Sequence, residues 1–248
     1  MTAVCQSKVK SDFVRSARVR NRLLAALPPE SLDRLLPQME LVRPARGEVL
    51  YQPGDAVRHA WFPGNGIVSL MATAERGGAI EVGMVGGDGL IGVSLVLGGS
   101  RSLYRVTVQA PAEALRINAG AFKAARRQEP RLEELLLRYV HALLAQVSQA
   151  AFCHRFHTLE QRLCRRLLAT GDRLNADTFG LTQQVLSQVL GARRTGVTQA
   201  AGALQAAGLI SYRWGRITLI DRHGLEAAAC GCYRIINAGL NGVGAFTM

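Results

Sequence analysis

The most informative absence in this chain of 248 residues is that of a long apolar run. A membrane-spanning helix needs ~20 consecutive apolar residues, and no segment approaches that length. The first two dozen residues also lack the apolar centre of a signal peptide. They are basic and acid-poor, which is typical of a transit peptide as well, but we interpret residues 1–19 as a flexible basic arm and expect a cytoplasmic protein. The basic residues of this region are Lys8, Lys10, Arg15, Arg18, Arg20 and Arg22.

The motifs of common catalytic sites are missing too. The sequence contains no Gly-x-Ser-x-Gly elbow, no His-Glu-x-x-His zinc helix and no Gly-x-x-x-x-Gly-Lys-Ser/Thr phosphate loop. The glycines at Gly86, Gly87 and Gly89 lie between predicted strands rather than before a helix, so they do not form a dinucleotide fingerprint. We therefore expect no enzymatic activity.

Cysteine is scarce, and the number of cysteines is odd. Those present are Cys5, Cys153, Cys164, Cys230 and Cys232. An odd number in a cytoplasmic protein argues against a disulfide framework. A metal site is the alternative, since His154 and His157 lie beside Cys153. However, Cys230 and Cys232 are separated by one residue, less than the two-residue gap usual in zinc sites. An iron–sulfur sensor would need several N-terminal cysteines, so we expect scattered helix-face residues, with no metal and no cofactor.

Acidic residues are few compared with basic ones. Eighteen Asp and Glu stand against thirty Lys and Arg, which gives a net charge of +12 and a pI near 10.4. Such a charge favours a polyanionic partner, and nucleic acid is the first candidate. An anionic membrane surface is the competing explanation. With 48% hydrophobic residues, the chain has ample material for one large domain or two ordinary ones.

The segment from Leu181 to Ile220 has the pattern of a winged helix-turn-helix. Thr182 is placed to cap a first helix, and Gly191 lies where a tight turn needs positive φ. A second helix places its apolar residues at spacings of three and four and ends at Gly208. These apolar residues are Leu186 and Leu190 in the first helix, and Val197, Ala200, Ala201 and Leu204 in the second. A strand, a turn and a second strand follow over Ser211–Ile220, centred on Trp214–Gly215.

The polar side of the second helix carries residue types that suit base edges, because arginine pairs with guanine and glutamine with adenine. They are Arg193, Arg194, Thr195, Thr198 and Gln199. Many helical hairpins with a central glycine bind no nucleic acid. The paired arginines, the hairpin that follows and the basic charge together favour DNA binding.

The middle of the chain predicts an antiparallel barrel or jelly roll. After two short helices over Arg20–Pro37, glycine and proline separate short apolar runs from Met39 to about Asn118, which predict seven or eight strands. The runs are Glu48–Tyr51, Ala60–Phe62, Ile67–Ala72, Ile80–Val85, Leu90–Leu97, Leu103–Val108 and Ala114–Ile117.

A long helix is predicted from Pro130 to about Phe156, followed by a second helix over Thr158–Thr170. The apolar side of the long helix is broader than one sheet requires, which favours packing on the barrel and on a second copy of the chain. An ordinary core helix is the alternative. The residues assigned to the dimer seam are Leu132, Leu136, Tyr139, Leu143 and Val147.

A barrel, a long helix and a winged helix-turn-helix follow one another in the predicted chain. In this order of domains it resembles the Crp/Fnr family (cyclic-AMP receptor protein and fumarate-nitrate regulator) of bacterial transcription factors over about residues 20–228. The helix-turn-helix carries the most specific match, and the barrel matches more loosely at Pro53–Gly54–Asp55, Gly66 and Gly89–Gly92. The matching helix-turn-helix positions are Thr182, Leu186, Gly191, Arg194, Val197 and Leu204. The resemblance implies homodimers that bind near-palindromic promoters, act through RNA polymerase and are switched by a ligand in the barrel.

The resemblance places the base-reading positions at Arg194, Thr195 and Gln199. Many relatives have arginine, glutamate and arginine there, so only Arg194 is retained and the half-site should differ. Thr195 offers a methyl or hydroxyl contact, and Gln199 shifts the preference from guanine to adenine. We assign Thr182, Arg213 and Arg216 to phosphate contacts. Arg193 and Thr198 are assigned auxiliary roles.

The ligand pocket departs from the cyclic-nucleotide pattern. After Gly92, Val93 stands where binders of the family place a glutamate for the ribose, and Ser102 stands at the position of the phosphate-binding arginine, next to Arg101. Two charged hydrogen bonds of ~1.5–3 kcal/mol each would be lost. We therefore expect that cyclic AMP is not the effector, so the barrel either binds something else or serves as a structural platform.

These expectations define an α+β chain. Residues 1–19 form the arm, 20–129 the cyclic-nucleotide-binding-like barrel, 130–157 the dimerisation helix, 158–228 the winged helix-turn-helix and 229–248 a C-terminal tail with a short helix. The expected function is dimeric, sequence-specific transcription regulation. The alternative is a ligand-sensing or scaffold protein whose helix-turn-helix contacts proteins or coats DNA without sequence preference.

Overall fold

The computed structural model describes residues 20–75, 77–111 and 113–243. The predicted basic arm and the last five residues of the tail lie outside this part. The chain divides into two compact units. Among the described residues, the first combines residues 20–68 with Val85–His141 and residues 242–243, and the second combines Ser69–Met84 with Ala142–Asn241. Within the described residues, every helix is too short or too polar to cross a membrane.

The N-terminal part is built from short strands, as predicted. Two short helices come first, α1 (Arg22–Ala25) and α2 (Pro29–Leu35). The strands are β1 (Met39–Val42), β2 (Val49–Tyr51), β3 (His59–Pro63), β4 (Ile67–Thr73), β5 (Ala79–Val85), β6 (Arg105–Ala110) and β7 (Ala114–Asn118), followed by α3 (Ala119–Gln128). They form a three-stranded sheet of order β1-β7-β3 and a four-stranded sheet of order β2-β6-β4-β5. In the first sheet, β7 pairs antiparallel with both neighbours.

Two strand predictions differ from the structure. Strand β1 was not predicted, although Met39 pairs with Ile117 and Val42 with Ala114. The predicted strand Leu90–Leu97 is wrong: Ile91 forms only an isolated bridge, and a 3-10 turn follows over Val93–Leu95. The reason is Gly92, whose φ of 97° turns the chain out of the extended conformation.

Helix α4 (Pro130–Phe156) matches the predicted bounds of the long helix. Its N-terminal half packs on the barrel within the first unit. The Tyr139 hydroxyl donates to the Leu90 carbonyl at 3.0 Å, and a Cβ on Gly89 would lie 2.6 Å from that hydroxyl oxygen. Glycine is therefore required at position 89. The Tyr139 ring packs α4 against the chain at Gly89 and Leu90.

The second unit contains the C-terminal elements. They are α5 (Leu159–Leu174), β8 (Thr178–Gly180), α6 (Gln183–Leu190), α7 (Arg194–Ala206), β9 (Ile210–Arg213), β10 (Arg216–Leu219), α8 (Arg222–Ala228) and α9 (Cys232–Asn241). Thr158 and Gln161 form a capping box at the start of α5. The strands form a sheet of order β8-β10-β9 over a core that includes Leu163, Leu186, Val197 and Ile217. Helix α9 supplies the short helix that was predicted in the tail.

Candidate nucleic-acid interface

Helix α6 and the turn after it have the predicted geometry. The Thr182 hydroxyl accepts from the backbone N–H of Val185 at 3.3 Å, so that it caps the first turn. Gly191 ends the helix in the left-handed conformation, with φ of 58°. A Cβ at this position would lie 2.6 Å from the Ile80 side chain. Both the turn and its packing against β5 therefore require glycine, which fixes where α7 begins.

Helix α7 separates an apolar face from a polar one. Val197, Ala200, Ala201 and Leu204 are buried in the core. The exposed face carries Arg193, Arg194, Thr195, Thr198 and Gln199. Within the described chain, the side chains of Arg193, Arg194, Thr195 and Gln199 take part in no hydrogen bond or ion pair. The predicted base-reading side chains thus lie together on one accessible face, with their polar groups uncommitted.

Thr198 differs from its neighbours on this face. Its hydroxyl lies 2.9 Å from the Arg194 carbonyl and 3.1 Å from Oε1 of Gln183, and it donates toward both. The hydroxyl proton is therefore engaged within the protein, and only its lone pairs remain for a ligand. This arrangement links α6 to α7, so Thr198 positions the exposed face.

The hairpin formed by β9 and β10 presents a basic, aromatic tip. Arg213 and Arg216 are directly opposite each other across the hairpin. Between them, Trp214 and Gly215 both have positive φ, 54° and 73°, as a two-residue hairpin turn requires. The Trp214 side chain is fully exposed. Like charges that face each other destabilise a hairpin, and a left-handed tryptophan is unfavourable, so the tip is costly for the fold by itself.

Hydrogen bonds connect the hairpin to the residue just before the N-cap of α6 and to α7. The Leu181 N–H donates to the Gly215 carbonyl at 2.8 Å, and the Tyr212 hydroxyl donates to the Leu181 carbonyl at 3.0 Å. Burial raises the pKa of the Tyr212 hydroxyl, which keeps this donor protonated. The Tyr212 N–H donates to Oε1 of Gln205 on α7 at 2.8 Å. The exposed face of α7 and the hairpin tip are therefore held in a fixed relation.

The charged side chains of this surface are all positive. From Thr178 to Ile220 the sequence contains four arginines and no acidic residue. The N-terminus of α7 adds to the positive potential, because its N-cap residue Arg193 makes no side-chain cap bond and the first N–H groups stay open. We call this surface, made of residues 193–199 and 213–216, the basic face.

A buried ion pair supports the helix that precedes the basic face. Arg166 of α5 is 1% exposed, and its Nε lies 3.2 Å from Oε1 of Glu81 on β5. The Arg166 Nη1 also donates to the Thr170 hydroxyl at 2.7 Å, and the Ser69 hydroxyl donates to Glu81. Burial lowers the pKa of Arg166, and the Glu81 carboxylate opposes this effect. No local sequence pattern points to this pair, since its two residues are 85 positions apart.

The residues of the predicted degenerate pocket are committed to the barrel itself. The Arg101 guanidinium donates to the Gly54 carbonyl at 2.7 Å on the surface. The Ser102 hydroxyl donates to the Tyr104 carbonyl at 2.8 Å. Val93 begins the 3-10 turn after Gly92, and Arg126 donates to the Leu95 and Val96 carbonyls at the end of that turn. Arg101, the arginine nearest the position expected for the phosphate contact, is thus engaged by the turn at Gly54.

The structure corrects most of the predicted dimer seam. Leu132, Leu136, Tyr139 and Leu143 are at most 5% exposed against their own chain, so they have no surface to offer to a second copy. Their periodicity reflects internal packing. Val147 is partly exposed. Helix α4 has a different stripe, with Leu137 and Leu144 at 50% and 63% exposure.

Comparisons with known proteins agree with this architecture. A cyclic nucleotide-binding domain model matches residues 41–129, and a Crp-like helix-turn-helix domain model matches residues 161–228. The search of curated protein sequences returned no significant match.

Solved structures with the same fold come from several bacteria. FixK2 from Bradyrhizobium japonicum is 14% identical, with a TM-score of 0.68 over 78% of this chain and 98% of that chain. The c-di-GMP responsive global regulator CLP of Xanthomonas campestris is 17% identical, with a TM-score of 0.66 over 78% and 100%. A CRP/FNR family transcriptional regulator from Thermus thermophilus is 24% identical, with a TM-score of 0.64 over 77% and 98%. At these identities the likeness establishes the fold alone.

Proposed function

We propose that this chain acts as a homodimer on a near-palindromic promoter site. It belongs to the Crp/Fnr family of transcription regulators and has a helix-turn-helix DNA-binding domain. The observation that carries the proposal is the basic face, where uncommitted arginine, threonine and glutamine side chains project from α7 beside a basic hairpin tip. An α-helix fits the major groove, and such side chains pair with base edges there. The bound dimer would act on transcription through RNA polymerase.

The proposed DNA contacts divide into two main roles. Arg194 and Gln199 have the donor patterns to pair with guanine and adenine, and Thr195 offers a methyl group to thymine. Thr182, Arg213 and Arg216 lie at the edges of the basic face, where phosphate contacts set orientation without selecting a sequence. Arg193 provides an auxiliary charge next to the open helix N-terminus.

We expect Arg194→Ala to weaken binding to the preferred site by about 1–3 kcal/mol and to relax selection at one base pair. Arg216→Ala is the matched control, because it removes the same charge from the hairpin tip. It should weaken binding to all sequences similarly and reduce the slope of log K against log salt by about one. Fluorescence anisotropy with single-base variants of the site measures both. Uniform loss in Arg194→Ala would make this residue a phosphate contact and contradict its assignment.

The stripe on α4 supports a parallel homodimer. Leu137, Val140, Leu144, Val147 and Ala151 follow each other at spacings of three and four, which is the a/d pattern of a coiled coil. All five are exposed or partly exposed in the single chain. Two copies joined along this stripe would present two basic faces, as two half-sites about 34–36 Å apart require.

The effector of this dimer is proposed not to be cyclic AMP. Val93 has no group for a ribose hydroxyl, and the hydroxyl of Ser102 and the guanidinium of Arg101 are engaged by backbone carbonyls. Isothermal titration calorimetry with cyclic AMP and cyclic GMP should show no saturable heat at ligand concentrations up to ~10 µM. Losing two charged hydrogen bonds weakens binding by roughly two to four powers of ten. Saturable binding below ~10 µM would contradict this proposal.

A further inference from the structure

Three cysteines and one histidine meet at the C-terminal end of the long helix. Cys153 lies on the last turns of α4 and His157 just beyond its end, while Cys230 and Cys232 flank the start of α9. One sulfur or nitrogen atom from each residue lies within 4.8 Å of the others. All four belong to the second unit. The fold thus brings together four of the residues that the sequence analysis had interpreted as scattered.

Burial sets this group apart from an ordinary surface cluster. Cys153, Cys230 and Cys232 are 0%, 4% and 0% exposed, and they form a core cluster of their own, separate from the main apolar core of the unit. The thiols are free. The sulfurs of Cys153 and Cys230 are 3.5 Å apart, far beyond the ~2.05 Å of a disulfide bond.

The distances match the edges of a small tetrahedron. Around a zinc ion with Zn–S of about 2.3 Å and Zn–N of about 2.0–2.1 Å, two sulfurs lie about 3.8 Å apart, and a sulfur lies about 3.6 Å from a nitrogen. The Cys153 and Cys230 sulfurs are 3.5 Å apart, and the Cys232 sulfur is 3.4 Å from Nδ1 of His157. These two edges would need to lengthen by only a few tenths of an ångström to hold an ion, and all four ligand atoms lie within 4.8 Å of one another.

A neighbouring side chain supplies the outer contact that metal-bound thiolates usually have. The amide Nε2 of Gln149, one turn before Cys153 on α4, donates to the Cys232 sulfur at 3.0 Å. Such hydrogen bonds orient the ligands of a metal and tune it. Cys164 and His154 are not part of the group: Cys164 lies in the helix-turn-helix core, and the ring of His154 contacts Arg162 and the Glu81 carbonyl.

We propose that Cys153, His157, Cys230 and Cys232 bind one structural Zn²⁺ ion. Three thiolates and an imidazole form a closed four-ligand set of the kind that structural zinc sites use, with no position left for a substrate. On binding, the three thiols release their protons, and the imidazole coordinates in its neutral form. An iron–sulfur cluster is disfavoured, because such clusters are commonly held by four cysteine thiolates, or by two cysteines and two histidines in Rieske centres, and the described group offers three cysteines and one histidine.

The ion would join two segments that are distant in the sequence. It would connect the end of α4 to the chain between α8 and α9, across 77 positions from Cys153 to Cys230. Helix α9 in turn contacts α5 through Asp172, which accepts from the Tyr233 hydroxyl at 2.8 Å. Zinc would therefore fix the junction of the long helix, the first helix of the DNA-binding domain and the C-terminal helix. This inference is independent of DNA binding.

The test begins with the intact chain. Purified under reducing conditions with Zn²⁺ and then desalted, it should contain one zinc per chain by elemental analysis. Replacing zinc with Co²⁺ should give the strong d–d bands and the thiolate-to-cobalt charge-transfer band of a tetrahedral cobalt thiolate site. These two measurements decide the proposal even if a variant fails to fold. A metal content near zero, or weak octahedral cobalt bands, would overturn it.

Variants then locate the site. Cys230→Ser should lose the charge-transfer band and stoichiometric zinc, whereas Cys164→Ala, which removes a buried cysteine outside the group, should keep both. Gln149→Ala should weaken zinc affinity by about 10–100-fold in competition with a chromophoric chelator, as expected when an outer contact is removed. Equal zinc content in Cys230→Ser and the unmodified chain, or a Cys153–Cys230 disulfide in the freshly purified reduced protein, would refute the assignment.

Discussion

Leu144→Glu is expected to convert the proposed homodimer to a monomer and to lower its affinity for a palindromic site by about 10²–10⁴-fold. Leu144 is 63% exposed at the centre of the stripe on α4. In the dimer, a carboxylate at this position would be buried and would face the same carboxylate of the second chain. Two unpaired like charges in an apolar seam are strongly unfavourable. With one basic face per molecule, the second half-site no longer adds its binding energy.

Analytical ultracentrifugation and anisotropy titrations measure the two effects in parallel. Ala145→Glu is the matched control, because it adds the same charge to the next residue of the helix, which is exposed but outside the a/d stripe. It should leave both dimer and affinity nearly unchanged. If Leu144→Glu stays dimeric with full affinity, the seam along Leu137, Val140, Leu144, Val147 and Ala151 is wrong.

Arg166→Leu is expected to destabilise the protein by about 3–5 kcal/mol, the cost of leaving one partner of a buried ion pair without the other. Glu81 is 8% exposed, and without Arg166 its buried negative charge would keep the hydrogen bond from the Ser69 hydroxyl but lose its cationic partner. Arg166 also donates to the Thr170 hydroxyl within α5, so the substitution would also destabilise this helix, which precedes the basic face.

Urea unfolding followed by circular dichroism measures this free energy. The double variant Arg166→Leu with Glu81→Leu removes both charges, and replacing a buried pair with apolar residues is often close to neutral. It should therefore recover most of the lost stability. A single variant as stable as the unmodified chain would show that the pair contributes little, and the same loss in the double variant would assign it to packing around Arg166.

The sequence predicted the helix-turn-helix well, because its signals are local. Thr182, Gly191 and the spacing of Val197 and Leu204 each specify a cap, a turn or a buried face within one or two helical turns. The barrel was harder, since Gly92 ends an apolar run that otherwise has the pattern of a strand. Apolar periodicity also does not say which of two stripes on α4 packs against its own barrel. Leu136 was therefore assigned to the dimer seam although it is buried in its own chain, whereas the exposed Leu144 was not assigned to the seam.

The remaining features depend on contacts between distant parts of the chain. The ion pair of Arg166 with Glu81 arises only when α5 packs on β5, and Cys153 approaches Cys230 only when the segment before α9 packs on the end of α4. The two-residue gap rule for zinc ligands led the sequence analysis away from Cys230 and Cys232. In the structure these two residues lie around a helix start, where a one-residue gap still allows both sulfurs to enter one cluster.

Selection of bound DNA from a random pool by the full chain shows whether the basic face selects a sequence. We expect an enriched inverted repeat that the protein binds about a thousandfold or more tighter than its scrambled version at the same salt concentration. Its half-sites should depart from those of relatives at the positions contacted by Thr195 and Gln199. Equal affinity for the enriched and the scrambled sequence would rule out sequence-specific binding by the basic face.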